Sequence, residues 1–312
     1  MATDAGGGWY LNRELGHVKD FNRSGVSGNL GAGFALLQMY AAGYIWGVHW
    51  EDCGAPARGK RPDFVFFRPA GAGRAAACIM EAKGARNTSM SAMQKHWFRQ
   101  IWPNKDEVVK LPGFGPMLPT EGRVVGTELG GPRCERKIRS FIAHGEFQGA
   151  GPNLSALPEQ IGADGVLPDL LAAQRASMVN ICKLLDMPET AEQMRSATSD
   201  KGFATHPRVS REMGDRVREL AGGLPGISDL PQAAAFVAPF TRLRPSGHNV
   251  PMEAAVYCEA EILAGAVRGE VEPSLPDVPW LQGSFVDEGR WALRVQAPDG
   301  VGLILRTAHP SR

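Results

Sequence analysis

The chain has 312 residues, 43% hydrophobic and 21% charged, enough to bury a real core as one large domain or two smaller ones. Its 34 basic and 33 acidic side chains leave a formal net charge of +1, so no global field draws it to nucleic acid or membrane, and any polyanion site must come from local clustering. Five cysteines (Cys53, Cys78, Cys134, Cys182, Cys258) are far apart and form no Cys-x-x-Cys pair, which argues against a disulfide framework or a thiolate zinc site and fits a reducing cytoplasm.

The N-terminal MATDAGGGWYLNRELG has acids and glycines where a signal peptide needs a basic start and an apolar run, so a cytoplasmic location is expected. Leu30 to Trp50 carries no formal charge and has about the length of a membrane span. Gln38, His49 and a break at Gly43 favour two elements instead: a buried helix from about Asn29 to Ala42, closed by Gly43 in the left-handed cap position, then a strand over 44–50. No membrane partner is expected.

A polar loop, EDCGAPARGKR, leads to the apolar strand PDFVFF and, past the turn-rich RPAGAGR, to a second strand, AACIMEA. SMSAMQKHWFRQIW predicts a helix with Ser89 or Ser91 near its start and Pro103 just past its end. GRVVGTEL predicts a further strand. Helix, strands, helix and strand make an α/β arrangement with a central mixed sheet flanked by helices.

From about Gly149 the character changes. GAGPNLSALPEQIG reads as a linker, so residues 1–150 are taken as one domain and 151–312 as an accessory region. That region is expected to be mainly helical, with helices over LPDLLAAQRASMVNICKLL, SREMGDRVRELA and MEAAVYCEAEILAGAV. It closes on RWALRVQA-PDG-VGLILRTA, two alternating apolar runs around an Asp-Gly turn, which predicts a β-hairpin.

The chemistry concentrates in RPDFVFFRPAGAGRAAACIMEAKG. Asp63 opens one apolar strand; Glu81 and Lys83 close the next and, two apart, point to the same side. A short glycine-containing connection lets the strands pair and brings Asp63 toward Glu81. Two carboxylates and an ammonium at a sheet end are costly together unless a cation and an anionic substrate share the site. The plain alternative is a salt-bridged hairpin whose end charges are merely solvated.

These residues, Pro62-Asp63 followed by Glu81-Ala82-Lys83, resemble the PD-(D/E)xK nuclease superfamily, the restriction-endonuclease-like fold, over roughly residues 29–130. The resemblance implies a Mg²⁺-dependent nuclease, with Mn²⁺ as a substitute, acting on nucleic acid, most naturally DNA. Asp63, Glu81 and the carbonyl of Ala82 would hold the metal, and Lys83 would serve the attacking water. Some branches add a glutamine in the next helix; Gln94 matches that position, with Phe98 where those branches usually carry Tyr. Many members also have an acid in the first helix, for which Gln38 or the acid Glu51 would have to stand in. Pro-Asp recurs at Pro168, Pro276 and Pro298, so only the pairing with Glu81-x-Lys83 carries weight.

Arg86, Lys95 and Arg99 follow the motif as nucleic-acid-binding candidates, Lys95 and Arg99 one helical turn apart, with His96 and Lys105 nearby. Arg133, Arg136, Lys137 and Arg139 form a second basic cluster. Trp97 and Trp102 at helical spacing read as core rather than as stacking groups. GNLGAG reads as small residues for close packing rather than a phosphate loop, and His49 and Cys53 lack the further ligands of a zinc set. The accessory region is assigned selection of substrate, self-association or a protein partner. Two further readings remain open: a non-catalytic nucleic-acid or protein-interaction module, and, more remotely, a nucleotide-binding transferase.

Overall fold

A computed structural model describes residues 2–3, 9–10, 20–54, 60–71, 74–111, 116–129, 138–147, 170–196, 207–220, 232–243, 252–270, 281–287, 290–297 and 299–308. The chain divides into one unit of Met1–Leu111 with Gly115–Pro168, and a second of Pro112–Phe114 with Asp169–Arg312. The expected boundary near 150 and its linker lie outside the described residues.

In the first unit, β1 (Ala2–Thr3) and β2 (Trp9–Tyr10) pair antiparallel, and α1 spans Asp20–Ala41. The helix begins well before Asn29, so the glycines of GNLGAG lie inside it. It ends where Gly43 adopts φ +84°, with Tyr44 N–H donating back to the Met39 carbonyl at 3.0 Å, a cap that glycine makes without steric cost. The chain then enters β3 (Trp46–His49), so the uncharged stretch does resolve into helix and strand. Among the described residues no helix is long and apolar enough to cross a membrane.

β3 pairs antiparallel with β4 (Phe64–Gly71), and β4 with β5 (Arg74–Ala85) in the register Phe64 opposite Met80. The chain crosses over through α2 (Met90–His96), passes β6 (Val109–Lys110) and β7 (Pro116–Met117), and returns as β8 (Glu121–Glu128), parallel to β5. β9 (Arg139–Glu146) lies antiparallel to β8, giving a mixed sheet in the order β3-β4-β5-β8-β9. The fold is α/β with helices on a mixed sheet.

Alternation along the strands sorts the two faces. Phe66, Cys78, Met80 and Val125 form one core cluster with Ala35 and Met39 of α1 and with Tyr44. On that face α1 reaches backbone contact: a Cβ on Gly31 would lie 2.4 Å from Gly84 N, and one on Gly84 would lie 1.8 Å from the Ser27 carbonyl oxygen. The glycines of GNLGAG thus serve close packing, at Gly31. On the opposite face, β8 and β9 receive α2 and the turns after it at glycines: a Cβ on Gly126 would meet Met93, one on Gly122 would meet Ile101, and one on Gly145 would meet Trp97.

The segment expected as a single helix has three parts. Ser89 caps α2, accepting from Ala92 N–H at 3.3 Å. A π-turn follows over Trp97–Ile101 and a 3-10 turn over Trp102–Asn104. Pro103 has no N–H to donate to the carbonyl four residues back, and Trp102 N–H reaches to the Trp97 carbonyl instead, so the regular ladder gives way here.

The second unit holds α3 (Leu170–Leu184), α4 (Pro188–Ser196), α5 (Pro207–Arg216), β10 (Val217–Leu220), β11 (Ala233–Val237), β12 (Thr241–Leu243), β13 (Met252–Glu259), α6 (Ala260–Arg268), β14 (Leu281–Asp287), β15 (Arg290–Gln296) and β16 (Val301–Thr307). Seven of these are strands of one antiparallel sheet, β10-β11-β13-β16-β15-β14 with β12 beside β13. The region is therefore not mainly helical. MEAAVYCE, taken with α6 as one helix, is β13, because Ala255 and Tyr257 bury with Leu220, Val237, Ala292 and Ile304, and that pairing overrides the helix preference of its alanines. For a similar reason VREL leaves helix α5 to become β10.

Candidate active site

Asp63 sits immediately before β4, whose first paired residue, Phe64, lies opposite Met80, and its charge acts on Glu81 of the next strand. Its own N–H donates to the Met80 carbonyl at 3.0 Å, and its carbonyl accepts from Trp50 N–H at 3.0 Å, so three strands fix its backbone. Its carboxylate turns inward: Oδ2 accepts from Ala82 N–H at 2.9 Å. Lys83 Nζ forms an ion pair with Glu81 Oε1. The structure thus brings Asp63, Glu81, Ala82 and Lys83 together at one end of β5, on the face that α2 covers.

Glu81 is fully buried, and its Oε2 has no hydrogen-bond partner among the described residues. Burial pushes its carboxyl up to about 7; the Asp63 charge adds to that, while the Lys83 ammonium and the Gln100 amide pull the other way. One adjacent cation is therefore too little to offset desolvation. Another buried carboxylate of the same sheet, Glu121, makes the contrast. Arg68 donates to its Oε1 at 2.9 Å and His144 Nε2 lies 2.9 Å from its Oε2. Burial pushes Glu121 up as well, yet bonds from Tyr44 and His144 and the charges of Arg68 and Arg123 hold it below the usual carboxylate range. Glu121 is satisfied by the protein and Glu81 is not.

The glutamine beside Glu81 is Gln100, not Gln94. Gln94 is exposed on α2, whereas Gln100 is buried in the π-turn. Gln100 Nε2 donates to the Arg61 carbonyl at 3.0 Å, which leaves Oε1 to accept from His96 Nδ1 at 2.9 Å and fixes the proton of that ring on Nδ1. Four residues on, the buried Asn104 donates from Nδ2 to the carbonyls of Lys60 at 3.1 Å and Gln100 at 2.6 Å. Gln100 and Asn104 thereby clamp the two peptides that precede Pro62-Asp63. No signal in the sequence singles out Gln100, because the register change at the π-turn decides which glutamine faces the sheet.

Arg86, Lys95 and Arg99 are exposed. Arg139 pairs with Glu128, while Arg133, Arg136 and Lys137 lie outside the described residues. Gln38 belongs to α1, on the face opposite Glu81, and Glu51 is exposed on the turn after β3. Neither is brought to the pair, and among the described residues no group of three or more His, Cys, Asp or Glu side chains could hold a metal. Any ion here would rest on two carboxylates, a main-chain oxygen and water. Cys53 Sγ donates to the His49 carbonyl at 3.4 Å, a local turn contact. Trp97 is half-buried, near the Phe147 ring, but Trp102 is exposed, against the expectation that both are core. No protein-family model, curated protein or solved structure matches the chain at a significant level.

Proposed function

We propose that the first unit is a metal-dependent nuclease of the PD-(D/E)xK type, hydrolysing phosphodiester bonds, with DNA the favoured substrate. The observation that carries this reading is Glu81: a buried, under-compensated carboxylate that feels the Asp63 charge and lies beside Lys83, toward the end of a hydrophobic strand. A helix, three antiparallel strands, a second helix and a strand parallel to the third also fit the restriction-endonuclease-like core that the motif implies.

The donor set suits a hard divalent cation. Asp63 and Glu81 supply carboxylate oxygens, Ala82 a main-chain oxygen, and the orphaned Glu81 Oε2 is an acceptor that such a cation would satisfy. Mg²⁺ or Mn²⁺ bound there would acidify a coordinated water and neutralise charge gathering on the phosphate. Lys83 Nζ, anchored to Glu81, would orient the attacking water and stabilise the developing negative charge. Ala82 N–H holds the Asp63 carboxylate in place, and the Gln100–Asn104 clamp holds its backbone approach. In the reaction a water oxygen bonds to phosphorus, one P–O ester bond breaks, and the leaving oxygen gains a proton, giving a monoester and a hydroxyl.

The test is incubation of purified protein with circular and linear DNA, with Mg²⁺ or with chelator, beside two variants. Lys83→Ala keeps both carboxylates, so it is expected to retain metal and DNA binding while losing about 10²-fold or more of turnover. Asp63→Ala is expected to lose metal binding and cleavage together. Wild-type cleavage by a folded Lys83→Ala protein would remove the main support for this reading.

A further inference from the structure

The outer side of the segment that carries Gln100 is unusual for a protein of nearly balanced charge. Between Glu81 and Asp106 there is no acidic residue; of the basic ones, Lys83 pairs with Glu81 and Lys105 with Asp106 at 2.7 Å, while Arg86, Lys95 and Arg99 are exposed. The inward side chains of the turns, Trp97, Gln100, Ile101 and Asn104, pack against β8 and β9 or hold the loop before Asp63. The outward positions Met90, Phe98 and Trp102 are large, apolar and exposed, by 42%, 66% and 47%. Phe98 and Trp102 are one turn apart in the π and 3-10 stretch, and Lys105 Nζ lies 5.0 Å from the centre of the Trp102 ring.

Exposed rings one turn apart, set among cations, cost solvation unless a ligand covers them. The ligand must be anionic and must offer flat apolar faces. We infer that this surface binds single-stranded nucleic acid, with bases stacked on Phe98 and Trp102 and the backbone phosphates held by Lys95 and Arg99. A duplex already stacks its bases internally and presents only phosphates and groove edges, so it could use the cations but not the rings. The inference rests on the nuclease reading for its purpose: a strand held here lies along the same turn whose Gln100 borders Glu81, so unpaired substrate or a frayed end would be delivered to the carboxylates.

The test is equilibrium binding in chelator, where no cleavage intervenes, of labelled deoxyuridine and uridine homo-oligomers and of a blunt DNA duplex of equal length. Wild type is expected to bind the single strands more tightly than the duplex. Phe98→Leu and Trp102→Leu are each expected to weaken single-strand binding about tenfold, within the range one stacked base supplies, and to leave duplex binding within about twofold. Trp102→Phe should restore most of the loss, and melting curves confirm that the variants fold. A difference between the two homo-oligomers identifies the sugar preferred. Equal losses on duplex and single strand, no loss, or no binding of any nucleic acid would overturn the inference, the last pointing to a protein partner on this face. Because cleavage is not read, loss of stacking leaves the nuclease reading standing, and full activity in Lys83→Ala leaves the stacking surface standing.

Discussion

Glu81 is a fully buried carboxylate whose Oε2 is orphaned and whose neighbour Asp63 repels it. Burying a charge without full compensation costs stability, and such a cost persists where a ligand repays it. That yields an opposed pair of effects from one substitution. Glu81→Gln keeps the shape, removes the charge, and leaves the partly exposed Lys83 to turn toward water, so in chelator its melting temperature should equal or exceed that of wild type. Mg²⁺ should stabilise wild type, by about 2.7 kcal/mol at a hundredfold excess over its Kd, and should leave Glu81→Gln unchanged. Thermal unfolding across a Mg²⁺ titration measures both; equal metal stabilisation in the two proteins would mean that Glu81 holds no ion.

At the scale of elements, the π-turn is what joins the helix to the site. Its extra residue turns Gln100 toward the sheet, and Asn104 then ties the same turn to the Lys60 carbonyl. Gly122 and Gly145 allow the close seat, since a side chain at either would strike Ile101 or Trp97. Asn104 is a positioning residue: it touches the loop before Asp63, not the carboxylates. Asn104→Ala leaves buried carbonyls unserved, a loss of about 1–3 kcal/mol. It should also weaken the Mg²⁺-induced rise in melting temperature, by freeing the approach to Asp63. A variant merely destabilised, with its metal response intact, would assign Asn104 to packing alone.

For the whole molecule, a net charge of +1 means that attraction to a polyanion has to be local, and the acid-free run from Ala82 to Lys105 is where it concentrates among the described residues. Lys95 and Arg99 lie a turn apart and exposed on that run. If both contact phosphate, replacing the pair with alanine should flatten the dependence of log K on log salt by about one unit per lost contact. Binding titrations from low to moderate salt give the slope directly, and an unchanged slope would make the two cations ordinary solvated charges.

Much of the local organisation is legible in the sequence because it depends on short-range physics. Glycine at 43 takes the left-handed cap that closes α1, strand alternation puts Glu81 and Lys83 on one side, and Ser89 caps the helix that follows. The order of α1, β3, β4, β5, α2 and β8 follows from those same periodicities. Other features depend on partners far apart in the chain. MEAAVYCE has alanines enough for a helix, and only strands β11 and β16 on either side make it a strand. Gln94 and Gln100 are equivalent in a helical pattern, and only the π-turn, seated on the glycines of β8 and β9, decides which one borders Glu81. Trp97 and Trp102 likewise look alike in sequence; packing against Phe147 half-buries one, and the break in helical register leaves the other in solvent. Residue type and spacing determine which elements can form, whereas the choice between nearly equal local alternatives falls to the contacts that only the assembled sheet supplies.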